Sequence, residues 1–235
     1  MDQYAEAYDD QFCYSLDNRL LMNWYPHRII NSTNGNSLLE LGIGHGYSTL
    51  IFSERYSRYL VIEGSQEIIN NFRTKNSSIA VEINHGFFET FDTEEKFDVI
   101  VMGFILEHVD DPRLLLRKYK KFLAPGGSIY IAVPNGEALN RRIGYHAGLL
   151  SDMISLSEAD LQLGHQRVFT VGSLKSIVIE EGYNVEFIEG LFLKPITTQQ
   201  MIDLKLSEEI LRGMLQAGVE YPELSVGILM KIKVD

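Results

Sequence analysis

Between residues 38 and 46 the chain reads Leu-Leu-Glu-Leu-Gly-Ile-Gly-His-Gly, an apolar run ending in alternating glycines at Gly42, Gly44 and Gly46. Glycine has no Cβ, so such a loop turns tightly and lets a ligand lie against backbone N–H groups. Glu63 closes the next apolar run, residues 59–62, about 20 residues downstream of the glycines. In a sheet of alternating strands and helices, an acid at that register accepts hydrogen bonds from the ribose hydroxyls of a nucleoside. Loop and acid together point to a nucleoside-type cofactor. A dinucleotide fingerprint would require glycine where Tyr47 stands, and Glu40 inside the motif would repel a pyrophosphate. The same carboxylate suits a cationic amino-acid group.

These residues need elements to position them. Residues 38–41, 59–62, 79–83, 97–102, 128–133, 185–188 and 225–234 read as strands, separated by helical spacing. Ser65 is a fitting N-cap for a helix carrying Ile68, Ile69 and Phe72. Asp111-Pro112 starts another, and Thr170 a third that Gly182 stops. One or two helices are expected over 197–217. The alternation predicts an α/β chain with a doubly wound, mostly parallel sheet and helices on both faces. The aromatic-rich segment before about residue 30 reads as helices packed on a core, and 137–166 is too long for an ordinary connection.

Composition bounds the rest. Of 235 residues, 45% are apolar and 23% charged, as in folded globular proteins. With 21 basic against 32 acidic residues the formal charge is -11, which argues against nucleic acid as partner. Cys13 is the single cysteine, so no internal disulfide forms, which fits a cytoplasmic setting. The acidic N-terminus does not read as a signal peptide, and no apolar run approaches the about 20 residues needed to cross a membrane. The histidines lack H-x-x-x-H spacing, and no metal is expected.

The run LLELGIGHG followed by VIEGS resembles the first two motifs of class I S-adenosylmethionine (SAM)-dependent methyltransferases. FDVIVMGFILEHVDDP and FLAPGGSIYIAVPN resemble the family's fourth- and fifth-strand motifs, so the likeness runs in order from residue 38 to 135. It implies a seven-stranded, Rossmann-like sheet with an antiparallel last strand and helical lid insertions. The whole chain, 1–235, then reads as a single methyltransferase domain. Residues 1–36 form a helical cap and 37–135 the SAM-binding core. Residues 136–169 and 196–222 are insertions that build a lid or an oligomer contact, such as a homodimer. By the same resemblance Glu40 and the backbone of Gly42, Gly44 and Gly46 line the methionine part of the cofactor, and Glu63 holds the ribose. The family commonly shows Gly-Asp after the third strand, where this chain has His85-Gly86-Phe87-Phe88. Phe87 and Phe88 would therefore hold adenine through ring contacts, while Met102 and Gly103 cover the cofactor near its sulfonium.

Methyl transfer is an in-line displacement helped mainly by alignment and exclusion of water. For a hydroxyl acceptor a base near neutral pKa helps, and His165 is the first choice. It lies in a G-H-x-R-x-F-T segment like one at the active-site rim of many small-molecule methyltransferases. His108 is the second choice. Tyr8, Arg141, Arg142 and Arg167 are candidates to bind the acceptor, the arginines suiting an acidic group. The expected acceptor is a small molecule, such as a glycan precursor or natural-product intermediate, methylated on oxygen in preference to nitrogen. Two other readings stand beside this one: a nucleotide-dependent oxidoreductase on a related sheet, and a SAM-binding protein without transferase activity.

Overall fold

The apolar runs pair into one sheet in the computed structural model of the chain, which describes residues 15–234. Tyr8 and Cys13 lie outside the described residues. The strands are β1 (Ser37–Leu41), β2 (Arg58–Glu63), β3 (Glu82–His85), β4 (Phe97–Gly103), β5 (Leu123–Pro134), β6 (Asn184–Leu191) and β7 (Gly227–Lys233). Their spatial order is β3-β2-β1-β4-β5-β7-β6. Pairing is parallel from β3 to β5, whereas β7 runs antiparallel to both of its neighbours. From β1 the chain winds outward through β2 to β3, then returns to place β4 on the other side of β1. A crevice therefore opens beyond the carboxyl ends of β1 and β4, where ligands bind in doubly wound sheets.

Alternation along the strands builds two cores. Leu39, Leu41, Ile100, Met102, Ile129 and Ile131 pack on one face of the sheet. Leu38, Val99, Val101, Tyr130 and Ala132 pack on the other, against Tyr25 and Ile29 of helix α1 (Ser15–Asn31) and Phe52 of α2 (Tyr47–Arg55). Each fully buried large side chain contributes about 1.5–3 kcal/mol relative to exposure.

The capping signals are realised. Ser65 Oγ accepts from the Ile68 amide at the start of α3 (Gln66–Lys75). The Asp111 carboxylate accepts from the Arg113 and Leu114 amides at the start of α4 (Pro112–Lys120). Thr170 forms a reciprocal capping box with Ser173 at the start of α7 (Val171–Glu180). Between these lie α5 (Leu139–His146) and the short α6 (Glu158–Gln162).

Two expectations shift. The third strand lies at Glu82–His85 and not at 79–83. It is a sheet edge whose side chains are largely exposed, so its position follows pairing with β2 and not the apolar run before it. The segment 197–217 divides into α8 (Thr198–Leu204) and α9 (Glu208–Glu220), broken at Lys205, whose φ of 49° is left-handed. Helix α8 packs on α1 and α9 on β6.

Candidate functional site

A cavity of about 510 Å³ occupies the crevice beyond β1 and β4. Its floor is the glycine loop: Gly42, Gly44 and Gly46 line it, all with positive φ (80°, 52° and 83°). The Gly46 conformation is needed twice over, since a Cβ there would also stand 2.8 Å from the Phe72 ring. At one side of the floor lies Glu63, buried and lining the cavity. Its Oε2 accepts from the Ile43 amide of the loop (2.9 Å) and its Oε1 from the Ser65 amide (2.8 Å). Two backbone donors thus fix the carboxylate plane, and each oxygen keeps a lone pair for a further donor such as a ligand hydroxyl.

Glu40 does different work from the one expected. It does not line the cavity but lies buried behind the loop, accepting from Ser48 Oγ (2.6 Å), Thr49 Oγ1 (2.8 Å) and the Tyr59 hydroxyl. Burial pushes its carboxyl up to about 7, against the lowering effect of those hydrogen bonds. As the central residue of a strand face packed under α2, it ties the first turn of α2 to β1 and β2.

The opposite wall follows β4. Gly103 lines the cavity, and a Cβ on it would collide with the Tyr25 hydroxyl. Phe104 adopts a left-handed φ of 58°, donates its amide to the Ala132 carbonyl (2.7 Å) and packs edge-on to Tyr25. Met102 is fully buried in the sheet and does not line the cavity, so it covers nothing there. Phe88 lines the cavity, whereas Phe87 is 54% exposed and outside it. Of the two rings only Phe88 forms part of the cavity wall.

His108 and His165 meet at the far end of the cavity, their ring centroids 4.7 Å apart and edge to face. Burial and the neighbouring His165 push His108 down to about 4, leaving it neutral near pH 7. His165 Nδ1 is 3.2 Å from Asp160 Oδ1, and Asp160 is itself held by the Ser157 amide and hydroxyl. Glu107 completes the group. It is buried, it lines the cavity, and neither carboxylate oxygen has a hydrogen-bond partner among the described residues. Burial pushes its carboxyl up to about 7. The absence of H-x-x-x-H spacing proves uninformative, because ligating atoms of Glu107, His108 and His165 lie within 4.8 Å of one another across separate loops.

The loops are zipped together. The Gln166 amide donates to the Glu107 carbonyl (2.8 Å) and its side chain to the His108 carbonyl (2.8 Å) and Asp110 (3.0 Å). Arg167 donates to the carbonyls of Leu106, Val109 and Asp110. That assignment corrects its expected place beside the acceptor: Arg167 does not line the cavity but holds the turn after β4. Arg142 is likewise outside the cavity, engaged with the carbonyl and carboxylate of Glu137. Arg141 does line it, although its guanidinium donates to the Met153 and Ser155 carbonyls. A guanidinium's five N–H donors can serve loop carbonyls as well as a ligand, and residue type alone does not reveal which.

Residues overlooked in sequence include Glu107, Asp160, and the buried pair Asp17 and Lys194, which hydrogen-bond each other and Thr198 at the cavity edge. Glu107 did carry a signal, as an acid inside an otherwise apolar run. Asp17 and Lys194 come from opposite ends of the chain and carried none.

The sequence profile of a family described as a methyltransferase domain matches residues 17–187. A cypemycin N-terminal methyltransferase from Streptomyces sp is 27% identical over 102 residues, 42% of this chain and 42% of that protein. A ubiquinone biosynthesis O-methyltransferase from Pseudomonas fluorescens (strain SBW25) is 26% identical over 122 residues, 50% of this chain and 52% of the relative. The chain thus spans about half, or less, of the length of the curated relatives it matches. The fold is shared with a SAM-dependent methyltransferase from Thermotoga maritima described as a possible histamine N-methyltransferase. The TM-score is 0.65 at 14% identity, covering 100% of this chain and 99% of that one.

Proposed function

Since the chain belongs to the methyltransferase-domain family, we propose that it transfers a methyl group from S-adenosylmethionine to a small-molecule acceptor bound in the cavity above β1 and β4. The observation that carries this reading is Glu63: a carboxylate fixed by the Ile43 and Ser65 amides at the rim of a positive-φ glycine loop. Its two oriented acceptor oxygens suit the hydroxyl donors of a ribose diol. Phe88 offers a ring face for adenine, and the backbone of Gly42, Gly44 and Gly46 leaves room for the amino-acid end. Bound there, the cofactor supplies an electrophilic methyl on a sulfonium.

The remaining work falls to this chain. The segment 136–169 contributes Asn140, Arg141, Asp160 and Leu161 to the cavity wall, and we assign it the lid that excludes water over the acceptor. No residue of 196–222 lines the cavity, and its helices α8 and α9 pack instead on α1 and β6. For a hydroxyl acceptor, the new C–O bond forms as the S–C bond breaks, with the bonding pair remaining on sulfur. The hydroxyl proton passes to His165, whose Nδ1 faces Asp160 and whose Nε2 is left to receive it. The names of the relatives span oxygen and nitrogen acceptors. The two adjacent imidazoles at the cavity end favour oxygen, because an amine needs less help to lose its proton.

Calorimetric titration with S-adenosylhomocysteine and, separately, NAD tests the cofactor; binding of NAD in place of S-adenosylhomocysteine would end this reading. With an acceptor identified from S-adenosylhomocysteine release across a hydroxyl panel, His165→Ala is expected to lower kcat by about 10²–10⁴-fold. Unchanged turnover would remove His165 as the base.

A further inference from the structure

We infer that Glu107, His108 and His165 form a binding site for one divalent first-row transition-metal ion at the acceptor end of the cavity. Three observations converge on it. First, Glu107 is 1% exposed, it lines the cavity, and neither of its oxygens has a hydrogen-bond partner among the described residues. A buried carboxylate left so is costly unless a cation or donor meets it. Among the described residues no guanidinium or ammonium pairs with it: Arg167, in the zipped loop, spends its donors on the carbonyls of Leu106, Val109 and Asp110.

Second, the two imidazoles complete a ligand set. One atom from each of the three side chains lies within 4.8 Å of the others. Neighbouring ligands on an ion with bonds of about 2.1 Å stand about 3 Å apart, so the three atoms need to draw together by less than about 2 Å. Two nitrogens and one oxygen suit the series from manganese to zinc better than magnesium or calcium, which prefer all-oxygen shells.

Third, an outer layer is built. Asp160 accepts from His165 Nδ1 at 3.2 Å and is anchored by Ser157. A carboxylate on one ring nitrogen of a ligating histidine fixes the ring and leaves the other nitrogen for the ion. Gln166 and Arg167 clamp the segments that carry all three ligands.

Three protein ligands leave coordination positions open toward the cavity. An acceptor hydroxyl bound at one of them would lose its proton more readily, as metal-bound water does. Ion and proton compete for the His165 nitrogen, so the ion-loaded protein activates a hydroxyl by polarisation and the ion-free protein by His165. The site itself does not depend on the cofactor reading, because it is defined by metal affinity alone.

The test is titration of the chelator-stripped full chain with Co²⁺, read by d–d absorbance, and with Zn²⁺ in competition. The expected result is saturable one-to-one binding displaced by Zn²⁺. Glu107→Gln and His165→Ala should each weaken it at least ~10-fold. Far-ultraviolet circular dichroism and S-adenosylhomocysteine affinity establish that the variants fold. Should either variant not fold, His108→Asn is expected to show the same loss. Absence of saturable binding to wild type overturns the proposal, as do folded variants that bind like wild type. Metal binding that fails while S-adenosylhomocysteine still binds would refute this site and leave the methyltransferase reading standing.

Discussion

Two glutamates separated by one strand crossover show how little residue type says without position. Glu40 and Glu63 are both buried, yet only Glu63 lines the cavity. Glu40 has three hydroxyl donors and spends them on joining α2 to the sheet. Glu63→Ala is therefore expected to weaken S-adenosylhomocysteine binding by about 10–100-fold, the loss of hydrogen bonds to a charged group. Glu40→Ala should act on stability, lowering it by about 1–3 kcal/mol as three buried hydroxyls lose their acceptor. Urea denaturation and calorimetric titration of both variants separate the two effects. The assignment of Glu63 would be lost if its variant bound the ligand as tightly as wild type.

At the scale of elements, local signals are legible in the sequence, whereas meetings between distant segments are not. The glycine loop, the Ser65, Asp111 and Thr170 caps and every strand but β3 follow from spacing within about ten residues. The His108–His165 contact and the Arg167 clamp depend instead on how the 164–170 segment folds back on the turn after β4. No periodicity encodes that return, so Arg142 and Arg167, expected beside the acceptor, instead anchor loops, while Arg141 lines the cavity. Asp98 shows the same kind of long-range tie. It accepts from the Asn36 amide (2.8 Å) and from the Ser37 amide and hydroxyl (3.0 Å each), joining the start of β1 to β4. The Asn36 amide foremost, with Ser37, holds its carboxyl below the ordinary range despite partial burial. A carboxyl depressed in the folded state stabilises above its unfolded pKa of about 3.9 and loses that contribution as pH falls through the folded value. Asp98→Asn should cost about 1–2 kcal/mol at pH 7 and make stability less steep below about pH 4. Guanidinium melts at pH 7 and pH 3 measure this; equal losses at both pH values would contradict it.

For the molecule as a whole, the cavity gathers residues from α1, the glycine loop, β2, β4, the 136–169 insertion and the segment after β6. A ligand that touches so many elements stabilises the folded chain by mass action. At 100 times its Kd, S-adenosylhomocysteine should add about 2.7 kcal/mol, a rise in Tm of about 5–10 °C for a chain of this size. Scanning calorimetry with and without ligand reads the shift, and an equal shift with NAD would count against the proposed cofactor. The sheet order has a consequence for how the molecule comes into being. Strand β7 lies between β5 and β6, so β6 has no partner in the sheet until residues 227–233 exist. During synthesis the β3-β2-β1-β4-β5 block can pair while the ribosome is still extending the chain, whereas β6 must wait with its backbone N–H and C=O groups unpaired in the sheet. Nascent chains stalled before residue 227 should therefore be the ones that recruit chaperones, and release of the last strand is the event that ends that dependence.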